Sequence, residues 1–198
     1  MKRALLSALM ITLLLAGCGG EAALEERLEA RRDEYAAAET LSFTAEITAN
    51  LGNEIFPCTL ACTAMEEETR VEVLEPSLVA GVTASLRAGE TELRYEGLQL
   101  SFGAADAAAG SPMAFAPLLT KALRSGHIIR AWRETGGEAP PRVAAEIYID
   151  DTRQLTVWYD SGTLTPQAAL LSSDGEEAVR CTLRDFTAAA AAAAATEE

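Results

Sequence analysis

The chain has 198 residues, 49% of them hydrophobic, and its 30 acidic side chains against 16 basic ones give a net charge of −14 at pH 7. That length and apolar content can bury one substantial core. A surface this acidic repels phosphate backbones and anionic headgroups, which argues against nucleic acid as a partner and against a domain lying flat on a membrane.

Lys2 and Arg3 precede an apolar run over residues 4–16, interrupted only by Ser7 and Thr12. This is the layout of a secretory signal, and the run is too short to span a hydrocarbon core, which takes about 20 apolar residues. It ends in Leu15-Ala16-Gly17-Cys18, which resembles the bacterial lipobox, in which the cysteine thiol takes a diacylglyceryl group and becomes the mature N-terminus. Residues 1–17 are therefore expected to be a lipoprotein signal peptide and Cys18 the lipidation site. Two acyl chains hold a protein firmly where one holds it marginally, each buried CH₂ contributing about 0.8 kcal/mol. The expected location is the extracytoplasmic face of the cell membrane. Losing Lys2 and Arg3 takes the mature charge to −16.

Residues 21–38 are rich in Ala, Leu, Glu and Arg, with Leu24, Leu28 and Tyr35 near helical spacing and Arg31 interrupting the stripe, so an amphipathic helix is predicted. From Leu41 the pattern switches to alternation, predicting strands over 41–51, 55–65 and 69–74, with Pro57 weakening the second. Further strands are predicted over 78–86, 92–96 and 98–102. After a small-residue loop at 103–110, Leu118, Leu119, Ala122 and Leu123 share a helical face that Gly126 is placed to end. Because proline is tolerated in a first turn and not in an interior, this helix is predicted to begin at Pro117, with 111–116 a separate turn. Strands resume over 127–133, 143–149, 154–159, 164–171 and 178–186, with Asp174-Gly175 as a hairpin turn.

About eleven short strands with helices at two places predict an α+β fold. It is a strongly curved antiparallel sheet, an incomplete barrel, with the helices covering its concave face. The predicted organisation is a signal at 1–17, one domain over 18–187 and an alanine-rich tail over 188–198, compatible with a frayed helix or no fixed structure.

Three cysteines remain beyond the anchor. On a strand, Cys58 and Cys62 stand about 13 Å apart, too far for a disulfide. Alternation sets Cys58 and Cys62 on one face of their strand, and Cys181 with Val179 and Leu183 on one face of another. All three read as core residues, with a bridge from Cys181 to one of the others the alternative. His127, the only histidine, has no neighbouring triad pattern. Asp150-Asp151 and Glu66-Glu67-Glu68 read as solvated turns before weak calcium sites, and Trp132 and Trp158 as packing before anchors for a ligand or partner. No catalytic residue, metal site or cofactor is expected.

The order of lipobox, helix, six strands, helix and five strands resembles that of the LolA/LolB-like lipoprotein carrier superfamily. Val73-Leu74-Glu75-Pro76 with Val79-Ala80-Gly81, Tyr95-Glu96-Gly97-Leu98 and Leu164-Thr165-Pro166-Gln167-Ala168 are similar to segments of its Gram-positive branch, that of germination lipoproteins of the GerS type. The resemblance implies a half-barrel whose apolar interior receives acyl chains. The interior-facing candidates are Phe43, Ala45, Ile47, Leu60, Ala84, Leu86, Tyr95, Ile147, Leu155 and Val157. Either the helices pack down on the two alanines and the interior is solid core, or an apolar pocket remains. Two functions follow: a non-catalytic, membrane-anchored protein that binds an acyl, lipid or lipoprotein ligand, or an envelope-protein partner module supporting a cell-wall hydrolase in sporulation or germination. A fixed anchor disfavours free shuttling.

Overall fold

A computed structural model describes residues 19–50, 54–87, 90–103, 112–135 and 140–190. Cys18, the signal segment and the tail beyond residue 190 lie outside the described residues. Helix α1 (Gly19–Ala37) leads into strands β1 (Thr40–Asn50), β2 (Ile55–Ala64), β3 (Glu68–Glu75), β4 (Thr83–Arg87), β5 (Glu90–Tyr95) and β6 (Leu98–Gly103). Helix α2 (Pro112–Ser125) follows, then β7 (His127–Glu134), β8 (Arg142–Tyr148), β9 (Arg153–Asp160), β10 (Pro166–Ser173) and β11 (Glu176–Ala189). Among the described residues no helix is long and apolar enough to cross a membrane.

The eleven strands form one open antiparallel sheet in the order β6-β5-β4-β3-β2-β1-β11-β10-β9-β8-β7. Two meanders, β1 to β6 and β7 to β11, thus meet where the first strand pairs with the last. Because β6 and β7 are the two outer edges, the connection between them must cross the sheet, and α2 is the element that crosses it. This puts α2 over β1, β2 and β3, while α1 packs on α2 and β7. The fold is the predicted α+β incomplete barrel.

Alternation decides which side chains face the helices. One inner row runs Ala145, Val157, Ala169, Cys181, Ile47, Cys58 across β8, β9, β10, β11, β1 and β2. A second runs Phe43, Cys62, Val71, Ala84, Leu93, Leu100 from β1 to β6. α1 supplies Leu24, Leu28 and Tyr35 to the core, and α2 supplies Phe115, Leu119 and Leu123. Arg31, which breaks the stripe of α1, donates to the Thr163 carbonyl at 2.6 Å, and Tyr35 Oη donates to the Leu164 carbonyl at 3.0 Å. The helix is thereby tied to the β9–β10 connection.

Among the boundaries that differ from the sequence expectation, four show their physical cause. α2 begins at Pro112, not Pro117: Pro112 takes the first-turn position where its missing N–H is harmless. Pro117 sits inside the helix, where burial of Ala114, Phe115 and Ala116 outweighs one lost backbone hydrogen bond. β4 begins at Thr83, not residue 78, because Val79 N bonds to the Pro76 carbonyl at 3.0 Å and Gly81 N to the Val73 carbonyl at 2.8 Å, folding 76–81 into turns. β10 begins at Pro166, not residue 164, because the Asp160 carboxylate caps the N–H groups of Gly162 and Thr163 and Leu164 adopts φ 53°. β11 continues past 186 to Ala189, with Ala188 opposite Leu41 and Ala189 opposite Thr40. Pairing with β1, not the weak strand preference of alanine, sets that end.

Candidate functional site

The ten interior candidates all fall on the helix-facing side of the sheet, but in two environments. Phe43, Ala45, Ile47, Leu60, Ala84, Ile147, Leu155 and Val157 are buried in the core. Leu86 is only partly buried against it and Tyr95 is 37% exposed. Beneath the helices the buried side chains pack into one core cluster. The gap bounded by Leu28, Tyr35, Leu123, Ile128, Ile147 and Tyr159 measures about 10 Å³, room for one water at most. Gly126 shows how tight this packing is: a Cβ there would stand 2.4 Å from Ile147 Cγ2 and 2.5 Å from the Ala122 carbonyl oxygen. The glycine that ends α2 is required for close approach to β8, and its N–H closes the last turn on Ala122 at 2.8 Å.

Among the described residues, no helix packs extensively on the other half of the concave face. Neither helix packs extensively on β4, β5 or β6, and their inner-facing side chains grow more exposed toward the edge. Leu93 is partly buried, Leu100 is 59% exposed and Leu98 is 70% exposed. Together with Leu86 and Tyr95 they make an apolar strip facing the inside of the curve. Sequence reasoning placed these residues on strands but omitted Leu93, Leu98 and Leu100 from the interior. The signal was available, since the two-residue turn at Glu96-Gly97, with φ 47° and 83°, sets Tyr95 opposite Leu98 and so carries the inner face onto β6.

The three cysteines are free and buried. Cys58 and Cys181 flank Ile47 on the two neighbouring strands, so two strand spacings, about 10 Å, separate them and no bridge forms. Burial pushes the Cys58 thiol up to about 11 and the Cys62 and Cys181 thiols to about 12, leaving them protonated and unreactive at neutral pH.

The Asp150-Asp151 turn is self-satisfied. Asp150 Oδ2 accepts from Arg153 Nε at 2.7 Å, and its Oδ1 from Arg153 N at 2.9 Å and Thr152 N at 3.0 Å. The Arg153 guanidinium first, then the Thr152 donors, hold its carboxyl down at about 2. Among the described residues no group of three or more His, Cys, Asp and Glu could hold a metal. Glu68 is a strand residue, in contrast to Glu66 and Glu67. Its carboxylate, 11% exposed, accepts from Arg70 Nε at 2.9 Å, from Arg87 at 3.1 Å and from the Ser85 hydroxyl. These donors, Arg70 foremost, hold it at about 2. It forms the floor of an open outer-face groove of about 530 Å³ that Arg87, Glu92 and Arg94 also line. On the far half of the outer face Trp132 and Trp158 lie half-buried on either side of Ala144. Trp158 Nε1 donates to Glu134 at 2.9 Å, and Arg130 lies 4.9 Å from the Trp132 ring centroid. His127 is exposed at the start of β7.

No protein-family model matches the chain. None of the curated proteins matches it either. Solved structures do. A putative outer membrane lipoprotein-sorting protein domain from Vibrio parahaemolyticus is 12% identical, with 90% of this chain and 94% of that one covered at a TM-score of 0.47. A LolA superfamily protein from Nitrosomonas europaea is 10% identical, with 85% and 94% covered at 0.43. A chain of the CwlD amidase complex with the GerS lipoprotein from Clostridioides difficile is 11% identical, with 82% and 94% covered at 0.42. Lipoprotein-sorting proteins of the LolA type are thus among the structural neighbours of this chain.

Proposed function

We propose that this is a membrane lipoprotein, anchored through Cys18 on the extracytoplasmic face, that holds an apolar chain of acyl type in the open half of its half-barrel and catalyses no reaction. The observation that carries this reading is the contrast within one concave face. Under the helices the apolar side chains are packed to a core, while Leu86, Leu93, Tyr95, Leu98 and Leu100 form a continuous apolar strip that neither helix covers. Water against such a strip is unfavourable, by about 25 cal/mol for each Å² of apolar surface, and a flexible methylene chain is the ligand that can follow a curved surface with few polar groups.

Native mass spectrometry of protein extracted from membranes tests the ligand: an acyl-bearing adduct beyond the anchor is expected, and it should be lost in Leu93→Asp and Leu98→Asp. Absence of any adduct from the wild-type protein would remove the ligand reading. Cys18→Ser tests the anchor separately, since the variant should move from the membrane to the soluble fraction. A second reading, a docking module for a cell-envelope hydrolase in sporulation or germination, is favoured by the Trp132 and Trp158 surface. It requires that the double variant Trp132→Ala, Trp158→Ala lose a partner that the wild type retains in pull-downs.

A further inference from the structure

Among the described residues two buried side-chain atoms have no hydrogen-bond partner, the Thr91 hydroxyl oxygen and Arg124 Nε. The Arg124 guanidinium is otherwise engaged, its Nη2 donating to the Ala64 carbonyl at 3.1 Å and to the Glu39 carbonyl at 3.5 Å. Thr91 is a different case, because its side chain has one polar atom and that atom is the orphan. A hydroxyl taken out of water without a partner forfeits the hydrogen bonds it made there, so a native structure that keeps one has a use for it.

Its place in the sheet points to that use. Thr91 is the second residue of β5, and alternation sets it on the same inner face as Leu93 and Tyr95. Across the sheet it stands opposite Leu86 of β4 and Phe102 of β6. Leu86, Leu93 and Tyr95 belong to the open apolar strip, so the hydroxyl marks one end of that strip and the turn at Glu96-Gly97 marks the other. Exposure rises along this line, from 9% at Thr91 to 37% at Tyr95 and 70% at Leu98. Four residues of strand separate Thr91 from Tyr95, about 13 Å, a length that about ten extended methylenes span. Leu86 and Leu93 beside the hydroxyl are apolar and offer no counter-ion, and a chain of net charge −14 repels a free carboxylate. An uncharged carbonyl accepts from a hydroxyl and needs no counter-ion.

We infer that Thr91 is the specificity-determining residue for the polar end of the ligand. Its hydroxyl donates to the carbonyl oxygen of an ester-linked or amide-linked acyl chain, and the hydrocarbon follows Leu93, Tyr95 and Leu98 toward the open edge. The inference rests on the acyl ligand proposed above and adds to it the chemistry of the linkage and the direction in which the chain lies. The ligand reaches the hydroxyl by turning aside Leu86, which is only half-buried at the open side. A chain that takes over those apolar contacts brings an acceptor to a position that water does not reach.

A matched pair of probes tests this. Glycerol monolaurate and 1-O-dodecylglycerol have the same chain and the same headgroup and differ only in the carbonyl. The full chain, purified from membranes, is incubated with an equal excess of both, and native mass spectrometry reads the two adducts side by side. The wild type should carry the ester over the ether about fivefold, the worth of one ordinary hydrogen bond. Thr91→Val should bring the ratio to about one with uptake of the ether unchanged, and Thr91→Ser, which keeps the hydroxyl, should retain the preference. Thr91→Val should also raise the urea midpoint, since a methyl of similar volume replaces an orphaned hydroxyl. Equal uptake of the two probes by the wild type, or an ester preference that survives in Thr91→Val, would overturn the inference and leave the acyl reading standing. Uptake of neither probe would remove both. A lowered urea midpoint in Thr91→Val would overturn the inference as well, because it would show that the hydroxyl already holds a partner such as a fixed water.

Discussion

Raising the pH should unfold this protein through its thiols. Cys58, Cys62 and Cys181 sit on the inner face among apolar neighbours, and burial pushes them from 9.0 to about 11, 12 and 12. An unfolded chain ionises these groups at its ordinary value while the native chain keeps them protonated. Above that value the unfolded state binds fewer protons than the native state, so stability falls as pH rises. The contribution is whole below pH 9 and is lost progressively through the window up to the folded values. At about pH 10 each thiol shifts the balance by roughly 1.4 kcal/mol, and the three together by about 4 kcal/mol. Domains of this size are stable by only about 5–15 kcal/mol, so the loss is a large fraction of the whole. Urea unfolding followed by tryptophan fluorescence at neutral pH and near pH 10 measures it. The triple variant Cys58→Ala, Cys62→Ala, Cys181→Ala should be less stable at neutral pH yet lose about 1 kcal/mol or less over the same interval, mostly from Tyr35 and Tyr159, whose hydroxyls burial pushes well above their ordinary value. Parallel pH profiles for wild type and variant would refute the reasoning.

Gly126→Ala should cost about 1–3 kcal/mol in urea unfolding, because the new methyl meets Ile147 and the Ala122 carbonyl at separations that force α2 away from β8. Glu68→Gln should lower the urea midpoint at neutral pH. The difference from wild type should shrink as pH falls below 4.5 toward 2, since the contribution of the depressed carboxyl is whole above the ordinary value and is lost progressively until the folded carboxyl itself takes up its proton. Leu98→Ala should change stability by no more than about 0.5 kcal/mol while weakening acyl binding. Leu155→Ala, at a fully buried position, should cost about 2–5 kcal/mol in urea unfolding.

Much of the architecture was legible because period-two alternation is a local signal. Phe43, Ala45 and Ile47 announce the inner face of β1 without reference to any other strand, and the five strands after α2 follow from the same rule. What alternation cannot carry is tertiary choice. Two prolines five residues apart both look like helix starts, and only the burial of Phe115 and Ala116 selects Pro112. The alanines at 188 and 189 have no strand signature of their own and become strand because Leu41 and Thr40 lie opposite. The candidate site was half visible for a related reason. An inner-facing apolar side chain reads the same in sequence whether a helix covers it, as at Leu155, or does not, as at Leu100. The role of Glu68 was hidden because its three partners come from β3 and β4, and an acidic run in isolation reads as solvent-facing.

The seam between β1 and β11 sets a condition on synthesis. The strand that starts the sheet borders the strand that ends it, at the middle of the order, so the longest span of chain must be brought together to complete the interior and not an edge. A polypeptide emerging from its N-terminus presents β1 early and leaves one side of it bare until the last residues of β11 arrive. Every chain that stops short of that point consists of two half-sheets, each with a raw central flank, and the closing contact has the large loop entropy that makes such pairings slow. Completion of the sheet is therefore deferred to the completed chain.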